Sequence, residues 1–307
     1  MERIRNIAET FSKVQEEICQ SLEIADGEGK FAKDKWSKAI GGGTSRVIRN
    51  GNVIEKGAVN FSYVSGKLTD RMEKVLGEKA DNYAATGISS ILHAHNPWVP
   101  TIHMNVRYFA LDNGVSWFGG GIDLTPSYII IEEAKWFHEQ IQAICDRFHP
   151  NFYADFKKWA DDYFFLPHRN ETRGVGGIFF DRLKPGDTYS FETLFEFAVT
   201  QAKTYPEIYS EFMKNSSKPY SERESKWQAL RRGRYVEFNL VNDRGTKFGL
   251  ESNGNTESIL VSMPANAAWE YNYMPEPGSL EEKTQQLLKK EINWAGLKNI
   301  EPNIIQQ

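Results

Sequence analysis

Apolar residues recur along this chain with two different periods. Ile4, Ile7, Phe11, Val14, Ile18 and Leu22 are spaced by three and four, which describes one face of an amphipathic helix. The same spacing returns in Ala134, Phe137, Ile141, Ile144 and Phe148, and again in Tyr153, Phe156, Ala160 and Tyr163. Further helices are predicted over 69–80, over 190–213 with an interruption near Pro206, and over 281–293. Period two governs 101-TIHMNVRYFAL-111, where Ile102, Met104, Val106 and Tyr108 fall on one side and His103, Asn105, Arg107 and Phe109 on the other. Asn113-Gly114 then supplies a two-residue hairpin turn, and 115-VSWFGGGI-122 is the returning strand.

Residues 26–46, rich in Gly and Lys, read as a loop leading to short strands around 47–64, and 173-RGVGGIFFD-181 reads as a further strand. The segments 234-RYVEFNLV-241, 246-TKFGLE-251 and 257-ESILVSM-263 read as a meander of short strands. There is no internal repeat and no low-complexity linker. Strands joined by short turns pair antiparallel, and the helices lie elsewhere in sequence. The expectation is a single α+β domain.

Bulk properties narrow the function classes. The chain has 307 residues, 40% hydrophobic and 25% charged, as in an ordinary globular protein. A net charge of −4 gives no general reason to bind nucleic acid or an anionic membrane. Two cysteines, Cys19 and Cys145, make no disulfide framework and fit a reducing compartment. No apolar run approaches the ~20 residues of a membrane span. Residues 1–20 are studded with charge and lack the core of a signal peptide. The expectation is a soluble cytoplasmic protein.

The polar face of the 101–122 hairpin carries candidate chemistry. His103, Asn105 and Arg107 sit about 7 Å apart in succession. Burying them side by side is costly unless something pairs with them, so this face is either solvent-exposed or lines a polar site. With a two-residue turn, Arg107 faces Gly120, and glycine there clears the surface for a planar ligand. In that register Asp123 points to the opposite face, and a bulge within Gly119–Gly121 would bring it onto the His103 side. The glycines lack both the GxGxxG and the GxxxxGK[ST] pattern. His93, His95, His103, His138 and His168 are spread along the chain without a compact metal motif. The run Arg231, Arg232, Arg234 is either a solvated surface or a set of carboxylate partners.

Several segments are specific enough to carry a resemblance. They are 58-AVNFSYV-64, 101-TIHMNVRYF-109, 117-WFGGGIDLTP-126, 157-KKWADDYFF-165, 173-RGVGGIFFD-181, 230-LRRGRYVEFNLVNDRGTKFGL-250 and 256-TESILVSMP-264. Together, from about residue 14 to about residue 294, the chain resembles the oxygen-dependent coproporphyrinogen III oxidases, with 295–307 as a tail outside the similarity.

The resemblance implies a large, mainly antiparallel sheet flanked by helices on both faces. It also implies oxidative decarboxylation of the ring A and ring B propionates of coproporphyrinogen III to the vinyls of protoporphyrinogen IX. O2 would be the co-substrate, CO2 and H2O2 would be released, and no organic cofactor would be needed. It makes His103 the proton donor and Ser89, Asn105, Val106 and Arg107 substrate contacts. Asp123 would hold the pyrrole N–H groups. It places Asn253, Gly254 and Asn255 at a substrate-binding position that usually ends in arginine, so that Arg173 or Arg244 would replace the missing charge. It offers His93, His103, His138 and His168 as ligands of a divalent metal, and a homodimer through about 235–269. The rival readings are a non-catalytic tetrapyrrole-binding protein on the same scaffold and a histidine-metal oxidase or hydrolase.

Overall fold

The computed structural model describes residues 2–251 and 254–297. The chain opens with α1 (Glu2–Asp26), then β1 (Ala32–Lys38), β2 (Gly41–Arg49) and β3 (Ile54–Lys67). α2 (Asp70–Leu76) leads to β4 (Asn82–Ala94), β5 (Thr101–Leu111) and β6 (Ser116–Thr125). Next come α3 (Ile131–Asp146), α4 (Phe152–Tyr163), the short β7 (Phe165–Leu166) and β8 (Glu171–Thr172), and β9 (Gly176–Leu183). α5 (Phe191–Met213), α6 (Glu222–Glu237), a π-helical turn Phe238–Asn242, α7 (Arg244–Glu251), α8 (Thr256–Leu260) and α9 (Leu280–Leu287) follow.

Seven strands form one antiparallel sheet in the order β1-β2-β3-β4-β5-β6-β9. Alternation gives the sheet one apolar and one polar face. Ile102, Met104, Val106 and Tyr108 of β5 are all buried on the apolar face. α1 seals that face with the predicted stripe Ile4, Ile7, Phe11, Val14, Ile18 and Leu22, and α5 packs beside it. On the polar face, Tyr235 of α6 and Val261 just beyond α8 pack on Ala58 and Ile91. Helices therefore flank both faces, as the resemblance implies, and the fold is α+β.

Asp26, at the end of α1, ties the helix to the sheet. Its carboxylate accepts from the backbone N–H groups of Gly29, Asn52, Val53 and Ile54 and is buried. Burial opposes its charge, but the four donors outweigh that and hold its pKa below the ordinary value. A depressed carboxylate stabilises above the unfolded pKa of about 3.9 and stops doing so as pH falls through the folded value. Asp26→Asn is expected to cost roughly 2–3 kcal/mol at pH 7. The gap to wild type should close in acid. Denaturant titrations at both pH values check this, and a gap independent of pH would contradict it.

Four sequence expectations are corrected. The 234–263 meander is helical: Trp227, Arg231, Tyr235 and Phe238 share the inner face of α6 and its continuation, and all are buried. A guanidinium stands in that stripe, which hides the helical period from a reading of apolar positions alone. The 26–46 loop instead contains β1 and most of β2. β1 is a sheet edge rich in lysine, as edges that avoid further pairing tend to be. Pro206 does not interrupt α5, whose flanking Ala202, Tyr205, Ile208 and Tyr209 are all buried. The last helix ends at Leu287 rather than at residue 293.

Candidate active site

A fifth correction settles where Asp123 lies. The β5–β6 loop has three residues, Asp112–Gly114, with Ala110 paired to Ser116 and Gly114 at φ 93°. A three-residue loop ending in a left-handed residue is a common hairpin form. The extra residue shifts the register by one. Arg107 therefore faces Gly119 rather than Gly120, and His103 faces Asp123 directly. No bulge between β5 and β6 is needed to bring the carboxylate onto the polar face.

The three glycines of β6 do different jobs. A Cβ on Gly119 would lie 2.8 Å from the Arg107 guanidinium carbon and 2.7 Å from Asp181 Oδ1. The glycine thus leaves room for the arginine to lie flat across the strand. Gly120 turns to the apolar face, where a Cβ would meet Phe180 and the Asn105 carbonyl oxygen. A Cβ on Gly121 would press on the Ile178 carbonyl oxygen of β9. The expectation that Gly120, opposite Arg107, clears the polar surface for a flat ligand is therefore corrected: Gly120 faces Val106 and the apolar layer.

His103 and Asp123 form a dyad. Asp123 Oδ1 lies 2.9 Å from His103 Nδ1, and Asp123 Oδ2 accepts from Arg173 Nη2. Both Asp123 and Arg173 are buried, whereas the His103 side chain keeps 27% of its surface exposed. Burial works against the Asp123 charge, but Arg173 and His103 overcome it, and its pKa lies below the ordinary value. With Asp123 ionised, His103 Nδ1 carries the proton that it donates. His103 Nε2 then has no hydrogen-bond partner among the described residues. Asp123 has both oxygens engaged, so the expected grip on pyrrole N–H groups would require it to give up one of these partners.

Around the dyad, Arg107 Nη1 donates to Asn105 Oδ1 at 2.8 Å, and Arg107 Nη2 pairs with Asp181 Oδ1 at 2.9 Å. Ser89 lies opposite Asn105 on the same face. Val106 is fully buried on the apolar face, so only its backbone is available to a ligand there. Tyr163 stacks on Phe179 at 4.1 Å and donates to Asp243 Oδ1 at 2.7 Å. Sequence reasoning does not single out Arg173, Asp181, Tyr163 or Asp243 as residues of the polar face. Arg173 and Asp181 are the two ends of one segment, Tyr163 and Asp243 come from two others, and only the fold assembles them.

The remaining candidates scatter. Asn253 lies outside the described residues. Gly254 donates to the Gly249 carbonyl oxygen and its own carbonyl accepts from Lys38 Nζ, while Asn255 caps α8 by accepting from Ser258 N–H. Arg173 is spent on Asp123, so it does not replace an arginine at 255; Arg244 is exposed. The four histidines do not converge. His93 bonds Thr101 Oγ1 and the Ser262 carbonyl oxygen, and burial pushes it down to about 3. His138 bonds Tyr153 and the Val175 carbonyl oxygen and is likewise pushed by burial to about 3, while His168 pairs with Glu237. Among the described residues no three His, Cys, Asp or Glu side chains are grouped to hold a metal ion. The donor set implied by the resemblance does not fit one. The arginine run is neither solvated nor a nucleic-acid surface: Arg231 pairs with Glu171, Arg232 with Glu55 and Arg234 with Glu237.

Comparison with known proteins bears directly on this arrangement. Residues 6–294 match the family described as coproporphyrinogen III oxidase. This chain belongs to the coproporphyrinogen III oxidase family. The oxygen-dependent coproporphyrinogen-III oxidase of Parasynechococcus marenigrum (strain WH8102) is 45% identical, over 94% of this chain and 86% of that protein. The chloroplastic oxygen-dependent coproporphyrinogen-III oxidase of Glycine max is 47% identical, over 88% of this chain and 74% of that one. For a coproporphyrinogen III oxidase, a polar sheet face with one half-exposed arginine and one half-exposed histidine is a chemically sensible place for a carboxylate-bearing substrate. No described helix is long and apolar enough to cross a membrane.

Proposed function

We propose that the protein converts coproporphyrinogen III to protoporphyrinogen IX with O2, using the polar face of β4–β6. Each round of the reaction turns a propionate into a vinyl group. The side chain loses CO2 and two electrons, O2 takes up those electrons, and one proton is consumed net as H2O2 forms. The reduced tetrapyrrole is itself electron-rich, so this reading needs no organic cofactor. The His103–Asp123 dyad is the observation that carries the assignment. It presents one imidazole nitrogen to the cleft in a tautomer fixed from behind.

In this reading His103 Nε2 handles the proton, and Asp123 orients the ring and balances the charge it acquires. Arg107 receives a propionate, with Asn105 holding the guanidinium in plane. Ser89 and the backbone at Val106 complete the substrate contacts on this face, whereas Gly254 and Asn255 are engaged with Lys38 and Ser258 and are given no part in this reading.

Asp181 competes for Arg107. Substrate binding would replace one carboxylate by another, so Asp181→Asn is expected to lower KM a few-fold and leave kcat unchanged. A half-exposed pair stabilises by less than about 1 kcal/mol, which bounds the change. A raised KM would mean that Asp181 is needed to hold Arg107 in place.

The enzymatic reading is tested by incubating the purified protein with coproporphyrinogen III in air, under nitrogen, and in air after exhaustive chelation. Divinyl product in both aerobic arms and none under nitrogen is expected. Failure in air would sink the reading, and loss on chelation with recovery by one metal would overturn its metal-free form.

We also read the chain as a single catalytic domain, supported by the one sheet on which both helical layers pack. Cytoplasmic placement is supported by Cys19 and Cys145, which are free and buried. The homodimer is kept on a different basis. Phe238 is buried and Val236 lies on a helix, so the strand-like patch is gone. Leu240, Val241, Leu250 and Trp269 are instead large apolar side chains at least 40% exposed in the 235–269 region. Sedimentation of wild type as a dimer and of Val241→Asp as a monomer supports it; a monomeric wild type at micromolar concentration removes it.

A further inference from the structure

We propose that Arg173 is a positioning residue: it fixes the Asp123 carboxylate in the one orientation that serves His103, and it does not bind substrate. This rests on the reading of His103 as the proton carrier.

A carboxylate is a two-fold group with a soft terminal torsion, so an aspartate beside a histidine does not by itself choose which oxygen it offers. Here the choice is made from behind. Arg173 lies in the loop between β8 and β9 and gives its Nη2 to Asp123 Oδ2, leaving Oδ1 for His103. The arginine is itself immobilised. Its guanidinium carbon lies 4.4 Å from the Phe164 ring centroid, 4.8 Å from that of Tyr235 and 4.6 Å from that of Phe238. Its backbone N–H donates to the Phe164 carbonyl oxygen at 2.9 Å, and Nη1 reaches toward Asn239 Oδ1. Gly174 follows, where a Cβ would strike the Leu124 carbonyl oxygen at 2.3 Å. The loop is thereby pressed onto β6 just beyond Asp123.

Three aromatic faces suit a planar, delocalised cation and not a compact ammonium, so the position calls for arginine and not merely for positive charge. A side chain only 2% exposed, already paired and boxed by rings, is not available to a substrate carboxylate. The half-exposed Arg107 differs on each of these counts.

The test uses Arg173→Lys in the full chain, with Asn239→Ala as a milder second variant that removes the neighbour of Nη1 together with a hydrogen bond to Tyr235. Steady-state kinetics, thermal melting and 15N spectra of the His103 ring at one fixed pH are compared with wild type. The expected result for Arg173→Lys is a kcat at least about tenfold lower with KM within about twofold, since an interaction that acts only on the reacting arrangement changes kcat. The 15N spectrum should show the Nδ1-protonated tautomer giving way to a mixture. Asn239→Ala should move both readouts in the same direction by less. A raised KM at unchanged kcat in either variant would make Arg173 a substrate anchor and overturn the proposal. Lower melting with unchanged kcat and an unchanged ring spectrum would make it structural only and overturn the proposal equally. His103→Asn serves as the control: full activity there would remove the reading of His103, whatever the Arg173 variants do.

Discussion

Asp123→Asn is expected to lose at least two to three orders of magnitude in kcat and, unlike most site variants, to fold less well. The two losses have one cause. Asparagine keeps the shape but is neutral, so the Arg173 guanidinium is left buried without its counter-charge. Removing one partner of a buried ion pair costs about 3–5 kcal/mol. The amide also has a single acceptor oxygen where the carboxylate serves two donors, and one of the two, His103 or Arg173, must face an NH2 group. If His103 is the partner that suffers, its ring tautomer is no longer fixed, and proton transfer worth about 10²–10⁴ in rate is lost. His103→Gln should lose comparable activity without the stability penalty, because it strands no buried charge. Near-normal kcat in a destabilised Asp123→Asn would show that the dyad is a structural pair. The measurements are kcat, KM and a denaturant titration on the same preparations.

Arg107→Ala is expected to act on the other kinetic parameter. The arginine is about one-third exposed and bound to Asp181 and Asn105, so its removal leaves no buried charge unpaired and melting should hardly change. A propionate gripped by a guanidinium is held in ground and transition states alike, and losing such a contact raises KM. Charged hydrogen bonds of this kind are worth about 1.5–3 kcal/mol, which corresponds to a KM higher by roughly 10- to 150-fold with kcat within a few-fold. Added salt should weaken wild-type binding more than that of the variant. An equal fall in kcat with KM unmoved would place Arg107 at the reacting carbon instead of at an anchor.

Much of this arrangement is legible in the sequence, for reasons that differ from residue to residue. The α1 stripe and the alternation of β5 can be read directly because each element buries a single apolar face, and period alone reports that. Asn113-Gly114 marks the hairpin but not its length. Whether Asp112 belongs to the strand or to the loop is decided by one backbone bond, Leu111 N–H to the Val115 carbonyl oxygen, and that bond carries no side-chain signal. The position of Asp123 hangs on it. α6 escapes a reading of apolar period although its start is written in 221-SERE-224, where Ser221 and Glu224 cap one another. Its inner face mixes Trp227 and Tyr235 with Arg231, and an ion pair buried by tertiary contact with Glu171 leaves no periodic trace. Arg173 stands out in the sequence only as a substitute for a missing charge at 255, because nothing local distinguishes a buried arginine from an exposed one.

The three-residue loop Asp112–Gly114 sits in solvent and meets no part of the dyad. Yet it should be among the segments of this protein least forgiving of single insertions and deletions. Adding or removing one residue there would turn every side chain of β6 over, sending Asp123 into the apolar layer and Ile122 and Leu124 into the cleft. Adding two would restore them. Its residues are held by local needs, Asp112 accepting from Asp81 and Asn82 and Gly114 standing at φ 93°, while its length is constrained to be odd, so that along a lineage, or in a library of grafted loops, this turn would be inherited by parity.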